Sequence, residues 1–347
     1  MPDRVYLDHA ATTPMLPQAR AAMAAAFDRW ANPSSPHAEG RAARAALEDA
    51  RTRIKTALGW DHELIFASGA SEAAALALAR ATLPHRAVSA VEHDCLHRAR
   101  ADAEIIAVDA NGAANLDAIP EQALVAIQTV NSETGVIQPV EATAAAIRER
   151  GGLWLADAAQ SAGKLPLPDA DMIIVSAHKL GGPPGIGALL IRDLSALAPT
   201  GGQEKGYRGG TENLPAAIGF ATALEARGSR AHLPVLRQLL DETICAAGGE
   251  IVAEQSPRLP EIASYRLPGV AAAAQLIELD LGGVAVSAGS ACSSGTLKPS
   301  RVLEAMGWPE TAAREVIRVS LAPQTTQAEI ELFLQLWTTL AGRRRAA

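Results

Sequence analysis

The sequence contains little cysteine: Cys95, Cys245 and Cys292 are the only three among 347 residues. They are odd in number, lie far apart and lack the Cys-x-x-Cys spacing. The sequence therefore predicts neither a disulfide framework nor a zinc site, and we expect no metal ion. Such cysteine usage is typical of a reducing compartment, and we expect a cytoplasmic protein.

Two further absences narrow the class of function. No apolar run approaches the ~18–20 residues of a membrane span, and the first residues, "MPDRVYLDHAATTP", show no signal-peptide pattern. The formal net charge is −7, so there is no basic excess that would attract phosphates. We therefore expect no membrane insertion and no direct binding of nucleic acid.

The middle of the chain alternates short apolar runs with helical patterns, which predicts βαβ units and a mainly parallel sheet covered on both faces. A strong helix is predicted before it, over Ala38–Leu58, with Gly59 as the stop. Further helices are predicted over Glu72–Ala81 and Val140–Arg150. The predicted strands are Glu63–Ala67, Ala87–Ala90, Glu104–Val108, Leu124–Val130, Leu153–Ala156, Met172–Val175 and Ala188–Ile191.

The pattern changes after about residue 230, where a smaller α+β domain is predicted. The large domain is predicted to span residues 15–230, and residues 1–14 with 231–347 to form the small domain. The predicted elements of the small domain are helix His232–Ala247, strand Ile262–Arg266, helix Ala271–Leu281, strand Val316–Leu321 and helix Gln327–Gly342.

Three segments place reactive groups at predicted strand ends, where ligands bind in open α/β sheets. In "SAHKLGGPPGIG" (176–187), burial would make Lys179 a nucleophilic amine able to form a Schiff base, although a surface lysine is the alternative. In "LWLADAAQSAGK" (153–164), Asp157 could keep a pyridine nitrogen protonated or could cap a helix. In "IFASGASEAAALA" (65–77), the turn before the helix could bind a phosphate or merely begin a helix. Together the three suit pyridoxal 5′-phosphate.

Many motifs in one order make the sequence resemble the class V aminotransferases, and within them the cysteine desulfurases of the NifS/IscS type. The resemblance implies the fold type I architecture of enzymes that depend on pyridoxal phosphate: an α/β large domain with a mainly parallel seven-stranded sheet, and a smaller α+β domain. The motifs that carry it are "YLDHAATTP" (6–14), "NPSSPH" (32–37), "SGASE" (68–72), "EHDCL" (92–96), "VNSETGVIQP" (130–139), "DAAQSAGK" (157–164), "SAHKLGGPPGIGAL" (176–189), "RGGTENLP" (208–215), "SAGSACSS" (287–294) and "IRVSLAP" (317–323).

The resemblance also implies a role for individual residues. Lys179 would bind the cofactor covalently, His93 would stack on its ring, and Arg318 with Asn32 would hold the substrate carboxylate. For His93 a buried, hydrogen-bonded side chain is the alternative, and for Arg318 a salt bridge at an edge strand. The remaining cofactor contacts would be Asp157 to the pyridine nitrogen, Gln160 to the phenolic oxygen, Asn131 nearby, Ala70, Ser71, Ser176 and His178 to the phosphate, and Thr211 to the phosphate from a second subunit of a homodimer.

The run "SAGSACSSG" (287–295) gives Cys292 a backbone with little conformational bias and few packing side chains. The resemblance implies that the Cys292 thiolate takes sulfur from L-cysteine, leaving L-alanine and a persulfide that passes to an acceptor protein, such as an iron–sulfur scaffold. His93 would move protons near the substrate thiol. For Cys95 and Cys245 we expect structural roles.

The sequence departs from the commonest family pattern at His9, at Ser132 and at Ala322-Pro323. Two alternatives to a cysteine desulfurase are open at this point. One is a selenocysteine lyase or another class V lyase or transaminase, and the other is a cofactor-free sulfur carrier that keeps the fold.

Overall fold

A computed structural model describes residues 4–289 and 300–346 of the chain, so the predicted nucleophile Cys292 lies outside the described residues. The helices of the described part are α1 (Pro17–Ala26), α2 (Ala38–Leu58), α3 (Ala70–Arg80), α4 (Asp94–Ala99), α5 (Val140–Glu149), α6 (Leu214–Ala226), α7 (Leu233–Ala246), α8 (Ala272–Leu281), α9 (Arg301–Ala305), α10 (Glu310–Ala313) and α11 (Gln327–Ala346).

The strands of the described part are short. They are β1 (Val5–Tyr6), β2 (Glu63–Ala67), β3 (His85–Ser89), β4 (Glu104–Ile106), β5 (Ala123–Ala126), β6 (Leu153–Asp157), β7 (Met172–Ser176), β8 (Gly187–Ile191), β9 (Glu250–Ile251), β10 (Ile262–Arg266), β11 (Val284–Ala285) and β12 (Val316–Ser320). Three strands inside the large sheet, β5, β7 and β8, are wholly buried.

Seven strands form one sheet in the order β2-β8-β7-β6-β5-β3-β4, which confirms the predicted mainly parallel architecture. One strand departs from it: β8 pairs antiparallel with both β2 and β7. Only residues 177–186 separate β7 from β8, and a parallel crossover needs a dozen or more residues. Because β2 and β7 remain parallel to each other, the carboxyl ends of β2, β7 and β6 lie at the same edge.

Both faces of this sheet are buried. Alternate residues of a strand point to opposite faces; accordingly Val125 of β5 packs with α2 and α6, whereas Leu124 packs in the cluster that contains α3.

Helix α2 has the predicted bounds because both ends are capped. The His37 side chain accepts a hydrogen bond from Gly40 N at 3.2 Å, and Gly59 has the left-handed φ of 68° that ends the helix.

A buried ion pair holds β2, which is an edge of the sheet. The Arg51 guanidinium donates to both oxygens of Glu204, at 2.8 and 2.9 Å, and Glu204 Oε2 also accepts from Phe66 N of β2 at 2.7 Å. The two charged side chains are 7% and 1% exposed. Glu204 lies seven residues before Thr211, and β2 ends just before the predicted phosphate turn. The pair therefore holds the segment before Thr211 against the strand before that turn.

The carboxyl-terminal third contains an antiparallel sheet in the order β12-β10-β9. Its core joins Tyr265 and Trp337 with Leu240, and Val5 and Leu7 from the amino terminus pack into the same cluster. The division of the chain at residue 230 stays a prediction. Within residues 4–289 and 300–346, no helix is both long and apolar enough to cross a membrane.

Candidate active site

A cavity of about 420 Å³ lies at the edge of the large sheet where β2, β6 and β7 end. Its volume falls within the range of ~300–1,000 Å³ that is usual for small-molecule sites. Eight residues predicted from the sequence line it: Ala70, Ser71, His93, Asp157, Gln160, Ser176, His178 and Lys179.

The turn between β2 and α3 forms one end of the cavity. Gly69 has φ 157° and ψ −175°, a conformation that is essentially confined to glycine. Strand β8 approaches this turn closely, because a β-carbon on Gly187 would lie 2.8 Å from the Gly69 Cα atom. Glu72 accepts a hydrogen bond from Ser68 N and pairs with Arg208 Nε at 3.0 Å. The backbone N–H groups of α3 thus begin at the cavity, as an anion site requires.

Lys179 lies just after β7, in a short 3₁₀ turn, and its amine donates a hydrogen bond to the carbonyl oxygen of Ala10. Burial lowers the pKa of Lys179 to about 8, and the positive charges of Arg318 and Lys164 act in the same direction. The amine is therefore much more often neutral at physiological pH than an ordinary lysine amine.

Asp157 is the last residue of β6 and is buried. Its Oδ1 atom accepts a hydrogen bond from Ala159 N at 2.8 Å, so the carboxylate also holds the turn that follows the strand. Burial raises the pKa of Asp157. A second buried carboxyl, that of Glu92, accepts a hydrogen bond from Gln128 N. Its pKa is raised well above the ordinary value, mainly by burial and in addition by the negative charge of Asp157.

His93 is the residue that caps α4: its Nδ1 atom accepts a hydrogen bond from Cys95 N at 3.2 Å. Because Nδ1 is the acceptor, the neutral ring carries its hydrogen on Nε2. Desolvation lowers the pKa of His93, which favours this neutral form. The ring is thus a hydrogen-bond donor at Nε2. It lines the cavity and is hydrogen-bonded as in the alternative interpretation, but its side chain is exposed rather than buried.

Gln160 and His178 complete the wall around Lys179. Gln160 Nε2 donates to Ala10 O at 2.9 Å, whereas its Oε1 atom is buried without a hydrogen-bond partner among the described residues. His178 Nδ1 lies 3.1 Å from Thr12 Oγ1, and burial lowers the pKa of His178 to about 4. A polar atom that is buried and unsatisfied in a cavity wall marks the place of a missing polar group.

Asn131 lies one residue away from the cavity wall. Its Oδ1 atom accepts hydrogen bonds from Glu133 N and Thr134 N, both at 2.9 Å, and its Nδ2 donates to Val91 O at 3.1 Å. The next residue, Ser132, lines the cavity instead. Asn131 therefore shapes the loop 131–135 that forms this part of the wall.

Arg318 lies on β12, behind this loop. Its Nη1 atom donates to Ser132 O at 3.0 Å and its Nη2 atom to Asp8 Oδ1 at 2.8 Å, so the salt bridge of the alternative interpretation is present. Its Nε atom is buried and has no partner among the described residues. Arg318 is not among the residues that line the cavity, but its hydrogen bond to Ser132 places it next to one that does.

Asn32 and Thr211 are not brought to this cavity within one chain. They line a second cavity of about 200 Å³ together with Trp30 and Glu212. Trp30 and Phe27 are 79% and 63% exposed beside it.

Sequence reasoning missed several lining residues, among them Glu72, Gln128 and Ser132. A structural role was predicted for Cys95. Burial is the main cause that raises the pKa of its thiol to about 12, so the thiol stays protonated. Its position two residues after His93 was the signal that it could line the cavity.

These residues fit pyridoxal phosphate. The cavity combines an amine whose pKa is lowered, a buried carboxylate, a helix amino terminus and the Oε1 atom of Gln160, to which no described residue donates a hydrogen bond. This donor set offers a partner to an aldehyde, a ring nitrogen, a phosphate and a hydroxyl group.

Comparison with known proteins agrees with the geometry. The family model described as "Aminotransferase class-V" matches residues 5–333. A cysteine desulfurase of Cereibacter sphaeroides is 36% identical over 99% of this chain and 97% of its own length. Among solved structures, a NifS-like protein of Rickettsia africae has a TM-score of 0.88 at 29% identity and covers 98% of this chain and 99% of its own. A structure described as SspA in complex with cysteine has a TM-score of 0.80 at 30% identity, over 93% of this chain and all of its own. The chain therefore belongs to the class V aminotransferase family, in its group of NifS-like cysteine desulfurases.

Proposed function

We propose that the protein is a cysteine desulfurase that takes sulfur from L-cysteine, releases L-alanine and leaves a persulfide on Cys292. The observation that carries the proposal is the single cavity in which Lys179, Asp157 and the amino terminus of α3 meet. The curated relatives named as cysteine desulfurases, at 33–37% identity over nearly the whole chain, support the same reaction.

Pyridoxal phosphate is the proposed cofactor, held by Lys179, by Asp157 at the ring nitrogen and by Gln160 at the phenolic oxygen. Ala70, Ser71, Ser176 and His178 would hold its phosphate, with Asn131 shaping the adjacent loop. When bound, the cofactor supplies an electron sink for bonds at the substrate Cα atom.

Lys179 is the proposed base at the substrate Cα atom. With a pKa of about 8, roughly one tenth of the free amine is neutral at pH 7, so it can take the Cα proton and return it to a neighbouring atom. Its hydrogen bond to Ala10 O holds Nζ toward the cavity wall.

Arg318 is the proposed partner of the substrate carboxylate. Asn32, which lines the second cavity of its own chain, would join it only from the second subunit of a dimer. The Asp8 carboxylate and the Ser132 carbonyl fix the plane of the Arg318 guanidinium. Because this side chain is already ordered, binding a carboxylate costs less conformational entropy than it would with a free side chain. His93 lines the cavity and carries its hydrogen on Nε2, and it is the proposed donor to the substrate sulfur.

The sulfur transfer balances without an external oxidant. The Cys292 thiolate attacks the sulfur of L-cysteine, a sulfur–sulfur bond forms and the substrate carbon–sulfur bond breaks. The electron pair of that bond stays with carbon, which gains a proton and becomes the methyl group of L-alanine. The transferred sulfur remains on Cys292 as a persulfide, ready for an acceptor thiol.

A homodimer is the proposed assembly, with Thr211 completing the phosphate site of the second subunit. Exposed Trp30 and Phe27 flank the cavity that Thr211 lines. Neither oxygen of the buried Glu212 carboxylate there accepts a hydrogen bond from a described residue, and Arg44 Nη1 lies 3.8 Å away. An apolar surface around an unsatisfied carboxylate is what a second copy would cover.

We place the reaction in the cytoplasm, since a persulfide carrier needs reduced thiols. The proposed acceptor is a protein thiol, such as that of an iron–sulfur scaffold or another sulfur carrier.

The test measures L-alanine released from L-cysteine by the purified protein. Protein that carries a visible absorption band abolished by Lys179→Ala should form alanine, and Cys292→Ser should not. Cys245→Ser is the matched control, because Cys245 is an exposed thiol of α7, and it should retain the rate. Turnover of selenocysteine without turnover of cysteine would overturn the proposal, as would alanine formation by Cys292→Ser.

A further inference from the structure

The chain enters and leaves the segment that carries Cys292 at a single point. Residues 290–299 lie outside the described residues, but Gly289 and Ser300, on either side, are described. A β-carbon built on Gly289 would lie 3.1 Å from the β-carbon of Ser300. The two residues are therefore in contact.

The Glu133 carboxylate accepts a hydrogen bond from one of these residues and lies near the other. Ser300 Oγ donates a hydrogen bond to Glu133 Oε2 at 2.5 Å, and a β-carbon on Gly289 would lie 3.5 Å from the same oxygen. Ser300 is buried and also caps α9, since its Oγ accepts from Leu303 N at 3.1 Å. One carboxylate thus bonds the residue that begins the first helix after the segment and lies near the residue before the segment.

Glu133 also belongs to the loop that forms the cavity wall. Its backbone N–H donates to Asn131 Oδ1 at 2.9 Å, and its carbonyl accepts from Ser264 Oγ of β10 at 2.8 Å. The preceding residue, Ser132, lines the cavity and accepts from Arg318 through its carbonyl. The loop that contacts the proposed carboxylate-binding arginine is therefore the loop that bonds Ser300 and lies near Gly289.

The position of Gly289 limits the position of the nucleophile. Cys292 follows Gly289 by three residues, and an extended chain advances at most about 3.6 Å per residue. The Cα atom of Cys292 therefore stays within about 11 Å of that of Gly289 in every conformation. A displacement of Gly289 by about one ångström would change the distance between the Cys292 thiolate and the substrate sulfur, and reaction rates are sensitive to a misplacement of that size.

We propose that Glu133 is a positioning residue for sulfur transfer. Through its hydrogen bond to Ser300, with Gly289 close by, it anchors the chain on either side of the Cys292 segment to the cavity loop, and this anchor supports the step in which the Cys292 thiolate takes the sulfur. This inference rests on the proposed function. It assigns Glu133 to the step made by Cys292 and gives it no part in the proton transfer made by Lys179.

The test separates these two steps in the cofactor-loaded protein. Exchange of the Cα hydrogen of L-alanine in deuterium oxide, followed by NMR, requires Lys179 but not Cys292. Persulfide formed on Cys292 in a single turnover of L-cysteine requires both. Glu133→Ala removes the acceptor of the Ser300 hydrogen bond. The matched control is Glu304→Ala, which removes an exposed carboxylate from α9 itself.

We expect Glu133→Ala to slow persulfide formation about tenfold or more, because a hydrogen bond to a charged group is lost, while alanine exchange stays within about twofold. Glu304→Ala should change neither rate. Glu133→Gln keeps an acceptor oxygen and should restore most of the persulfide rate. Ser300→Ala removes the donor instead and should separate the two rates in the same way, so the test does not depend on the folding of one variant.

Equal slowing of both rates in Glu133→Ala and Ser300→Ala would assign the pair a general role in the cavity and overturn the proposal. An unchanged persulfide rate in both variants would also overturn it. A different result, no persulfide on Cys292 in the unsubstituted protein, would overturn the proposed function itself.

Discussion

Lys179 should titrate near pH 8 in the folded, cofactor-free protein. Burial lowers the pKa of its amine to about 8, and the charges of Arg318 and Lys164 act in the same direction. An unperturbed lysine has a pKa of about 10.4. At pH 7 the neutral fraction is then about one tenth, compared with about one in 2,500 for an ordinary lysine. The structure thus predicts about 200-fold more nucleophilic amine at Lys179.

The assay is trace acylation of the cofactor-free protein at a series of pH values, with the Lys179 peptide quantified by mass spectrometry. The same peptide from protein unfolded in urea is the control and should titrate near the ordinary value. Arg318→Met removes one of the like charges, so the midpoint should rise but stay below the ordinary value, since burial is the main cause. Between about pH 8 and pH 10.4 the unfolded chain binds more protons at Lys179, so this residue's contribution to stability should improve as the pH rises.

A midpoint near pH 10.4 in the folded protein would refute this reasoning. It would show that the Lys179 amine is solvated, and the proposed base would lose its physical basis. A midpoint that Arg318→Met leaves unmoved would show that Arg318 does not act on the Lys179 amine.

Three further perturbations follow from the fold. Glu204→Ala removes the buried partner of Arg51 and leaves only the more exposed Glu48 carboxylate to balance its charge, so it should lower the free energy of unfolding in urea by about 3 kcal/mol. Glu310→Ala, in an exposed pair, should change it by less than about 1 kcal/mol. Gly69→Ala places a side chain at φ 157° and should weaken pyridoxal phosphate binding at least about fivefold in equilibrium titration; unchanged affinity would contradict the phosphate turn. Trp30→Glu should shift the protein toward monomer in light scattering, and a monomeric parent with full cofactor occupancy would contradict the proposed dimer.

Local signals were enough to predict the bounds of several elements. Helix α2 and strands β2 and β10 were predicted at their observed limits, because apolar spacing and capping residues determine them. Strand β5 was predicted to continue to Val130 but ends at Ala126. Beyond it the backbone turns away, since Gln138 N donates to Thr129 O and Val130 bridges to Ile137. Such pairing depends on a loop that local propensity does not describe.

The meeting of Lys179, Asp157 and the Ser71 turn could be predicted because each follows a strand, and parallel strands bring their carboxyl ends to one edge. The antiparallel orientation of β8 was not predicted, although the short connection before it was a usable signal. The contact between Glu133 and Ser300 joins residues 167 positions apart, and no pattern within either segment indicates it. Contacts of that kind arise from tertiary packing alone.

The central claim is that sulfur leaves L-cysteine and arrives on Cys292. The most direct test is mass spectrometry of the cofactor-loaded protein after a single turnover with L-cysteine carrying isotopically labelled sulfur. We predict one labelled sulfur atom on the Cys292 peptide, together with one equivalent of L-alanine. Label on Cys95 or Cys245 with none on Cys292, or alanine formed without any labelled peptide, would contradict the claim.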